Sequence, residues 1–217
     1  MKPADDPLAD YKSLVQEGYD RIAAKYAEAR QKEADVGLGP LTEELNPQAR
    51  VLDVGCGAGI PIAFTLSQQF EVIGVDISKE MIRLAKKNVP NATFIHADVM
   101  SVDLPIAHFD AVVTFYTVFY LPREQYKELF SRIHRWLRPA DYLLATLTEE
   151  NEEPYLEEDY FGISMYWSNY SLLEYEEMFT QIGFEILEVG STGHGYSATH
   201  ETPEEHHPLL LAQMGQD

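Results

Sequence analysis

The sequence predicts an α/β fold, a mostly parallel sheet with helices covering both faces. Three observations carry this. Short apolar runs rich in β-branched residues alternate, through the middle of the chain, with segments whose apolar residues recur every three or four positions. The first such run leads directly into a glycine-rich turn, VLDVGCGAGIP, from Val51 to Pro61. The last two runs have no helix between them, which predicts an antiparallel pair at a sheet edge.

Taken in order, Tyr11, Leu14, Val15, Gly18, Tyr19, Ile22 and Tyr26 predict an amphipathic helix or pair of helices. Gly37, Gly39 and Pro40 mark a loop, Leu41 to Leu45 a short helix, and Asn46-Pro47 its end. Arg50 to Val54 reads as a buried strand. Ile60 to Gln69 reads as a helix, with Pro61 in a first turn that needs no amide hydrogen. Glu71 to Asp76 is a strand, and Ser78 to Asn88 a helix that Ser78 can cap. Ala92 to Ala97 and Phe109 to Phe115 are strands. In the helix Arg123 to Leu137, Tyr126, Leu129, Phe130, Ile133, Trp136 and Leu137 share one face, and Pro139 stops it. Tyr142 to Leu147 is a strand. Ser171 to Ile182 is a helix opened by a Ser171/Glu174 capping box and closed by Gly183. Phe184 to Val189 and Pro208 to Met214 are the final strands. The economical reading is one domain over residues 1–217, with a helical cap at 1–46 and an inserted, lid-like segment at 148–170.

Of the 217 residues, 45% are hydrophobic and 24% charged, the balance of a globular chain. No apolar run approaches the roughly 18 residues of a membrane span, and the start, MKPADDPLAD, lacks the features of a signal peptide. The single cysteine, Cys56, excludes an internal disulfide and a zinc cluster of cysteines. A cytoplasmic protein is expected. The formal net charge of −20 repels phosphate backbones, so no direct nucleic-acid partner is expected. Arg132, His134, Arg135 and Arg138 are assigned to the polar face of a helix. Part of the acidic excess falls in EENEEPYLEED, Glu149 to Asp159. His200, Glu201, Glu204, His206 and His207 are irregularly spaced, and no metal site is expected.

In a doubly wound sheet, ligands bind beyond the carboxyl ends of the strands. Gly55, Gly57 and Gly59 follow such an end, where missing Cβ atoms let backbone approach a ligand and free amides can meet its oxygens. The spacing G-x-G-x-G differs from the dinucleotide fingerprint G-x-G-x-x-G, and Ile60-Pro61 is not the ending of a phosphate loop. Asp76 ends the second strand at the distance where an acid meets a ribose, with two oxygens for two hydroxyls. Asp98 follows the third strand, where it can accept from an adenine amino group. Either acid could instead be a helix cap or a solvated turn.

Together, VLDVGCGAGI, GVDIS, HADV and FDAVVTFYTVFYLP resemble the class I S-adenosylmethionine-dependent methyltransferases, over roughly Ala49 to Leu147. The resemblance implies a Rossmann-like three-layer sandwich with seven strands in the order 3-2-1-4-5-7-6, the seventh antiparallel. It implies that Gly55, Gly57 and Gly59 lie beside the methionine portion of S-adenosylmethionine, and that Asp53 orients that end. It further implies that Asp76 holds the ribose, Ile77 packs on the adenine, and Asp98 and Val99 read its edge. Phe115 and Tyr116 would lie near the sulfonium, with Cys56 and Met81 in the same cofactor set. The family often has Pro-Gly-Gly before its fifth strand; here Pro139-Ala140-Asp141 stands on the face away from the site. The fourth strand lacks the Asn/Asp-Pro-Pro-Tyr motif of many amino-methylating enzymes acting on nucleic acid or glutamine, and looks more like the small-molecule branch.

The expected activity is methyl transfer from S-adenosylmethionine to a small-molecule acceptor, releasing S-adenosylhomocysteine. The alternatives are a methyltransferase acting on protein or RNA, a non-catalytic S-adenosylmethionine-binding regulator or partner subunit, and a nicotinamide-linked oxidoreductase. For the acceptor side, Tyr19 and the closing residue Tyr26 come from the N-terminal helix, and Tyr166, Trp167 and Tyr170 from the insertion, where Met165 reads as an anchor. Tyr116 and His194 are the candidate catalytic residues, with His108 a further possible base.

Overall fold

The structure, a computed structural model, describes residues 10–30, 37–193 and 206–215. Among these residues, six α-helices, α1 (Tyr11–Arg30), α2 (Gly39–Glu44), α3 (Ile62–Leu66), α4 (Lys79–Asn88), α5 (Tyr126–Trp136) and α6 (Leu172–Ile182), accompany nine strands. The strands are β1 (Arg50–Val54), β2 (Glu71–Asp76), β3 (Thr93–His96), β4 (Phe109–Thr114), β5 (Leu137–Thr146), β6 (Glu152–Tyr160), β7 (Ile163–Asn169), β8 (Phe184–Gly193) and β9 (His206–Met214).

Seven strands form one sheet in the order β3-β2-β1-β4-β5-β9-β8. β1 to β5 run parallel, while β9 is antiparallel to both β5 and β8. This is the expected order, the last strand of the chain inserting between β5 and β8. The fold is Rossmann-like. Side chains of the central strands alternate between two apolar layers. Val51, Ala111 and Val113 face α1 to α4, whereas Leu52, Val54 and Val112 face α5 and α6. Burial of both faces explains the consecutive apolar residues Val51-Leu52 of β1 and Ala111-Val112-Val113 of β4.

Local chemistry sets the element ends. Ser78 Oγ accepts from the Met81 amide as the cap of α4, and Ser171 with Glu174 forms the capping box of α6. Gly183 ends α6 in a left-handed conformation, φ 108°. Three boundaries depart from the sequence reading. α3 begins at Ile62, because left-handed glycines at 55, 57 and 59 carry the turn past Ile60. The first turn of the long helix, Arg123–Gln125, is 3-10, and the chain passes from Trp136 directly into β5. Pro139 therefore lies inside β5, where a register break opposite Phe109/Ala111 and a left-handed Ala140 absorb its missing amide. Arg138 accordingly sits on β5, not on a helix, and pairs with Asp110.

The insertion is a β-hairpin. β6 and β7 pair antiparallel about Phe161-Gly162, both with positive φ (56° and 87°), the twist a two-residue hairpin turn requires. Met165 is fully buried beneath it, as an anchor would be. Among the described residues, no helix is long and apolar enough to cross a membrane.

Candidate active site

The carboxyl ends of β1, β2, β3 and β4 open on one cleft, and α1 lies across it. The cleft opens to solvent and has a volume of about 100 Å³.

At one end stands the glycine turn. Gly55 and Cys56 both donate to the Val75 carbonyl, at 2.8 and 3.1 Å, pinning the turn to β2. Gly55 has φ 72°, and a Cβ there would fall 2.0 Å from Thr117 Oγ1, so no larger residue fits. Gly57 has φ 50°, and a Cβ there would meet nothing within 4 Å, because it faces the open cleft. Its amide donates to Asp76 Oδ2 at 2.9 Å, and the Ser78 amide donates to Oδ1 at 2.8 Å. Burial raises the Asp76 carboxyl to about 6, against the pull of those two amides.

Behind this turn Asp53 is buried, with Oδ2 lacking a hydrogen-bond partner. Burial raises it to about 8, the Asp76 charge adds to the rise, and Arg30 opposes it. Arg30 ends α1, is itself buried, and lays its guanidinium 4.5 Å from the Tyr116 ring centroid. Asp53, Arg30, Cys56 and Gly57 together line a smaller adjoining cleft.

At the other end, Asp98 Oδ1 accepts from the Met100 amide at 2.8 Å and Oδ2 pairs with Lys12 Nζ at 2.7 Å. Ile77, Met81, Ala97 and Val99 provide an apolar wall. Between the ends lie Phe115, Tyr116, Thr117 and Tyr120. Tyr116 adopts φ 52°, a strained conformation for a bulky residue, and its amide donates to Thr146 Oγ1 at 2.6 Å. α1 is tied down along its length: Tyr11 Oη donates to Gln125 Oε1 at 2.8 Å, and Asp20 Oδ1 accepts from Ser78 Oγ at 2.6 Å and the Glu80 amide at 3.0 Å.

Of the residues expected at the site, Tyr19, Tyr26, Gly55, Gly57, Asp76, Ile77, Met81, Asp98, Val99, Phe115 and Tyr116 line the main cleft. Asp53 and Cys56 line the smaller one. Gly59 does not reach either; it packs toward Val89, Ala85 and Phe94, where helix meets sheet. Tyr166 is buried beside Tyr11, ring centroids 5.5 Å apart, rather than exposed to a ligand. Trp167 stacks on Phe119 at 5.2 Å and stands behind Tyr120. Tyr170 belongs to the opposite face of the sheet, against Tyr126 and Tyr175, and is displaced from the acceptor set. His108 precedes β4, at the end of the strand away from the cleft. His194 lies outside the described residues, as do His200, Glu201 and Glu204. His207 is buried in the sheet, its ring 5.4 Å from that of Tyr116 and 5.7 Å from that of Phe119. Among the described residues, no group of three ligating side chains is placed to hold a metal.

The sequence reading missed Tyr11, Lys12, Arg30, Tyr120 and Tyr160. Tyr11 and Tyr120 were legible as aromatic residues in segments already assigned to the site. Lys12 and Arg30 carried no signal, since one cation on a helix looks like any other.

A parallel sheet whose strand order reverses at a glycine turn, with acids at the next two strand ends, defines a nucleotide-binding α/β protein. Residues 51–140 match a family model described as a methyltransferase domain. The chain is 30% identical over 137 residues to the trans-aconitate 2-methyltransferase of Azoarcus sp., a match covering 62% of this chain and 52% of that protein. It is 29% identical over 151 residues to phosphoethanolamine N-methyltransferase 3 of Arabidopsis thaliana, covering 65% and 30%. Among solved structures, the 1,6-didemethyltoxoflavin-N1-methyltransferase of Burkholderia thailandensis, with bound 1,6-didemethyltoxoflavin and S-adenosylhomocysteine, superimposes with TM-score 0.73 at 21% identity, covering 98% and 94%. The chain spans between about a third and a half of the curated relatives it matches, 30% to 52% of their length. Over residues 51–140 the chain is similar to the methyltransferase domains of the class I S-adenosylmethionine-dependent family.

The residues present fit S-adenosylmethionine. The cleft is open where a Gly57 Cβ would stand, and the buried Asp53 Oδ2 has no hydrogen-bond partner and can accept from a ligand's donor. Each Asp76 oxygen takes one amide and retains a lone pair for a ribose hydroxyl.

Proposed function

We propose that the protein transfers a methyl group from S-adenosylmethionine to a small-molecule acceptor and releases S-adenosylhomocysteine. The observation that carries this is the continuous cleft from Asp98 through Asp76 and Gly57 to Phe115, Tyr116 and Tyr120. Asp98, Asp76 and Gly57 would hold the cofactor, and the aromatic end would receive the acceptor. The three similar proteins named above are called methyltransferases of trans-aconitate, phosphoethanolamine and didemethyltoxoflavin, all small molecules.

Bound S-adenosylmethionine supplies an electrophilic methyl group on a sulfonium. The chain's part is to hold and align. Asp76 accepts from the ribose, Asp98 from the adenine amino group, and Asp53 from the methionine ammonium, with Arg30 beside it for the carboxylate. Lys12 must yield Asp98 Oδ2 to the adenine or share it. Phe115 and Tyr116 present aromatic surface to the positive sulfur, and α1 with the hairpin excludes water. Alignment of acceptor and methyl group can supply much of the rate. Tyr116 stands in the cleft as the candidate group nearest the acceptor.

The test is S-adenosylhomocysteine release from S-adenosylmethionine across small amines, phenols, thiols and carboxylic acids. Acceptor-dependent release is expected. Binding without release for every acceptor, with release on a protein or RNA substrate, would overturn the small-molecule reading.

A further inference from the structure

The aromatic end of the cleft draws on three separate parts of the chain. Tyr19 and Tyr26 come from α1, Tyr120 from the turn after β4, and Tyr160 from the hairpin. Tyr19 stands edge-on to both Tyr26 and Tyr120, with centroids 5.3 Å apart in each pair. Tyr160 backs all three, its centroid 6.4 Å from Tyr19 and Tyr26 and 6.5 Å from Tyr120. Their hydroxyls converge: Tyr120 Oη donates to Tyr160 Oη at 3.1 Å, and Tyr19 Oη lies 3.4 Å from Tyr160 Oη. Tyr19, Tyr26 and Tyr120 face the cleft, while Phe161 and Trp167 thicken the wall behind them.

We propose, on the methyltransferase reading above, that this wall selects a cationic acceptor and that the methylated atom is an amine nitrogen. Aromatic faces attract a cation by about 0.5–2 kcal/mol each, according to its desolvation, and phenolic oxygens accept hydrogen bonds from ammonium N–H groups. The ring faces alone would also suit the sulfonium; the converging hydroxyls and the charge around them single out an amine.

The cations near the wall are engaged elsewhere. Lys25 Nζ donates to the Phe161 carbonyl at 3.2 Å and sits 5.4 Å over its ring, at the rim. Arg30 stacks on Tyr116, on the side of Asp53, and Lys12 pairs with Asp98 at the far end. The hairpin is acidic. On β6, the strand that ends in Tyr160, Glu152, Glu153, Glu157, Glu158 and Asp159 are all exposed; Glu152 accepts from Asn169 and Glu153 pairs with Arg123, and the chain as a whole carries a formal −20. Such a field concentrates a cation at the mouth and repels a carboxylate or phosphate.

The chemistry balances. The ammonium first releases a proton to water. Its nitrogen lone pair then forms the N–C bond as the S–C bond breaks, that bond's electron pair stays on sulfur, and the positive charge passes to the methylated nitrogen.

The test titrates the protein, saturated with S-adenosylhomocysteine, with N,N-dimethylethanolamine, a tertiary amine protonated at neutral pH, and with isoamyl alcohol, its uncharged isostere in which carbon replaces nitrogen. Trp167 fluorescence, read in a Trp136→Phe background, reports on the wall, and S-adenosylhomocysteine affinity is measured separately by calorimetry. The amine is expected to bind at least about tenfold tighter than the isostere, and to weaken as salt is added. Tyr120→Leu is expected to abolish most of that preference, and Tyr120→Phe, which keeps the ring and removes the hydroxyl, to lose part of it. Equal or tighter binding of the isostere, with S-adenosylhomocysteine bound, would overturn the amine assignment alone. Failure to bind S-adenosylhomocysteine at all would overturn the methyltransferase reading and this one with it.

Discussion

Asp53 places a cost in the apo fold that can be measured without any acceptor. Its carboxyl is 1% exposed, Oδ2 lacks a partner, and its pKa rises from 3.8 to about 8 through burial, then Asp76, with Arg30 opposing. The sign follows from proton counts. Between the unfolded and folded values the native state holds a proton that the unfolded chain has released, so stability is greatest at low pH and falls as pH rises toward 8. Each pH unit in that window is worth about 1.4 kcal/mol for one proton. Asp76 and Asp141, raised to about 6, act in the same direction at lower pH. From pH 6 to pH 8, where the group is half titrated, the Asp53 contribution is therefore roughly 2 kcal/mol, a sizeable part of the ~5–15 kcal/mol that holds a domain together. Asp53→Asn keeps the shape and removes the charge. Urea unfolding of the apo protein at pH 6, 7 and 8 is expected to show the wild type losing stability and the variant holding nearly level. The variant is also expected to bind S-adenosylhomocysteine at least about tenfold more weakly, since a charge-assisted hydrogen bond of ~1.5–3 kcal/mol is lost. Parallel pH curves for the two proteins would refute the buried, partnerless carboxylate.

Two further outcomes follow from the same geometry. Asp76→Ala is expected to weaken S-adenosylhomocysteine binding at least about tenfold by calorimetry; in Asp53→Asn, which leaves Asp76 as the titrating acceptor, lowering the pH from 7 to 5 should weaken binding about tenfold, because the ionised carboxylate, with its pKa raised to about 6, is the acceptor. Gly57→Ala faces open space, whereas a Cβ at Gly55 strikes Thr117, so thermal unfolding should show Gly55→Ala markedly destabilised and Gly57→Ala lowered by only about 1–2 kcal/mol, with cofactor binding impaired in both.

Much of the strand-end part of the cleft was legible because it is written in backbone demands. A left-handed turn requires glycine, and acids at successive strand ends sit where the topology puts the ligand, so Gly57, Asp76 and Asp98 could be read in line. Gly59 shows the limit: the same residue type, two positions on, serves the packing of helix against sheet. The acceptor half was harder to read because it is assembled from distant segments. Tyr160 meets Tyr19 and Tyr120 only after the hairpin folds over α1, and nothing in EENEEPYLEED announces a strand that ends in that contact. Tyr170, adjoining the other aromatic residues in sequence, turns to the opposite core because β7 ends there and α6 begins.

The most direct measurement is a calorimetric titration of the purified protein with S-adenosylhomocysteine, with a nicotinamide dinucleotide as control. Saturable binding at one site per chain, weakened at least about tenfold in Asp76→Ala and absent for the dinucleotide, is the result expected of this cleft. No binding of S-adenosylhomocysteine, or equal binding of the dinucleotide, would contradict it.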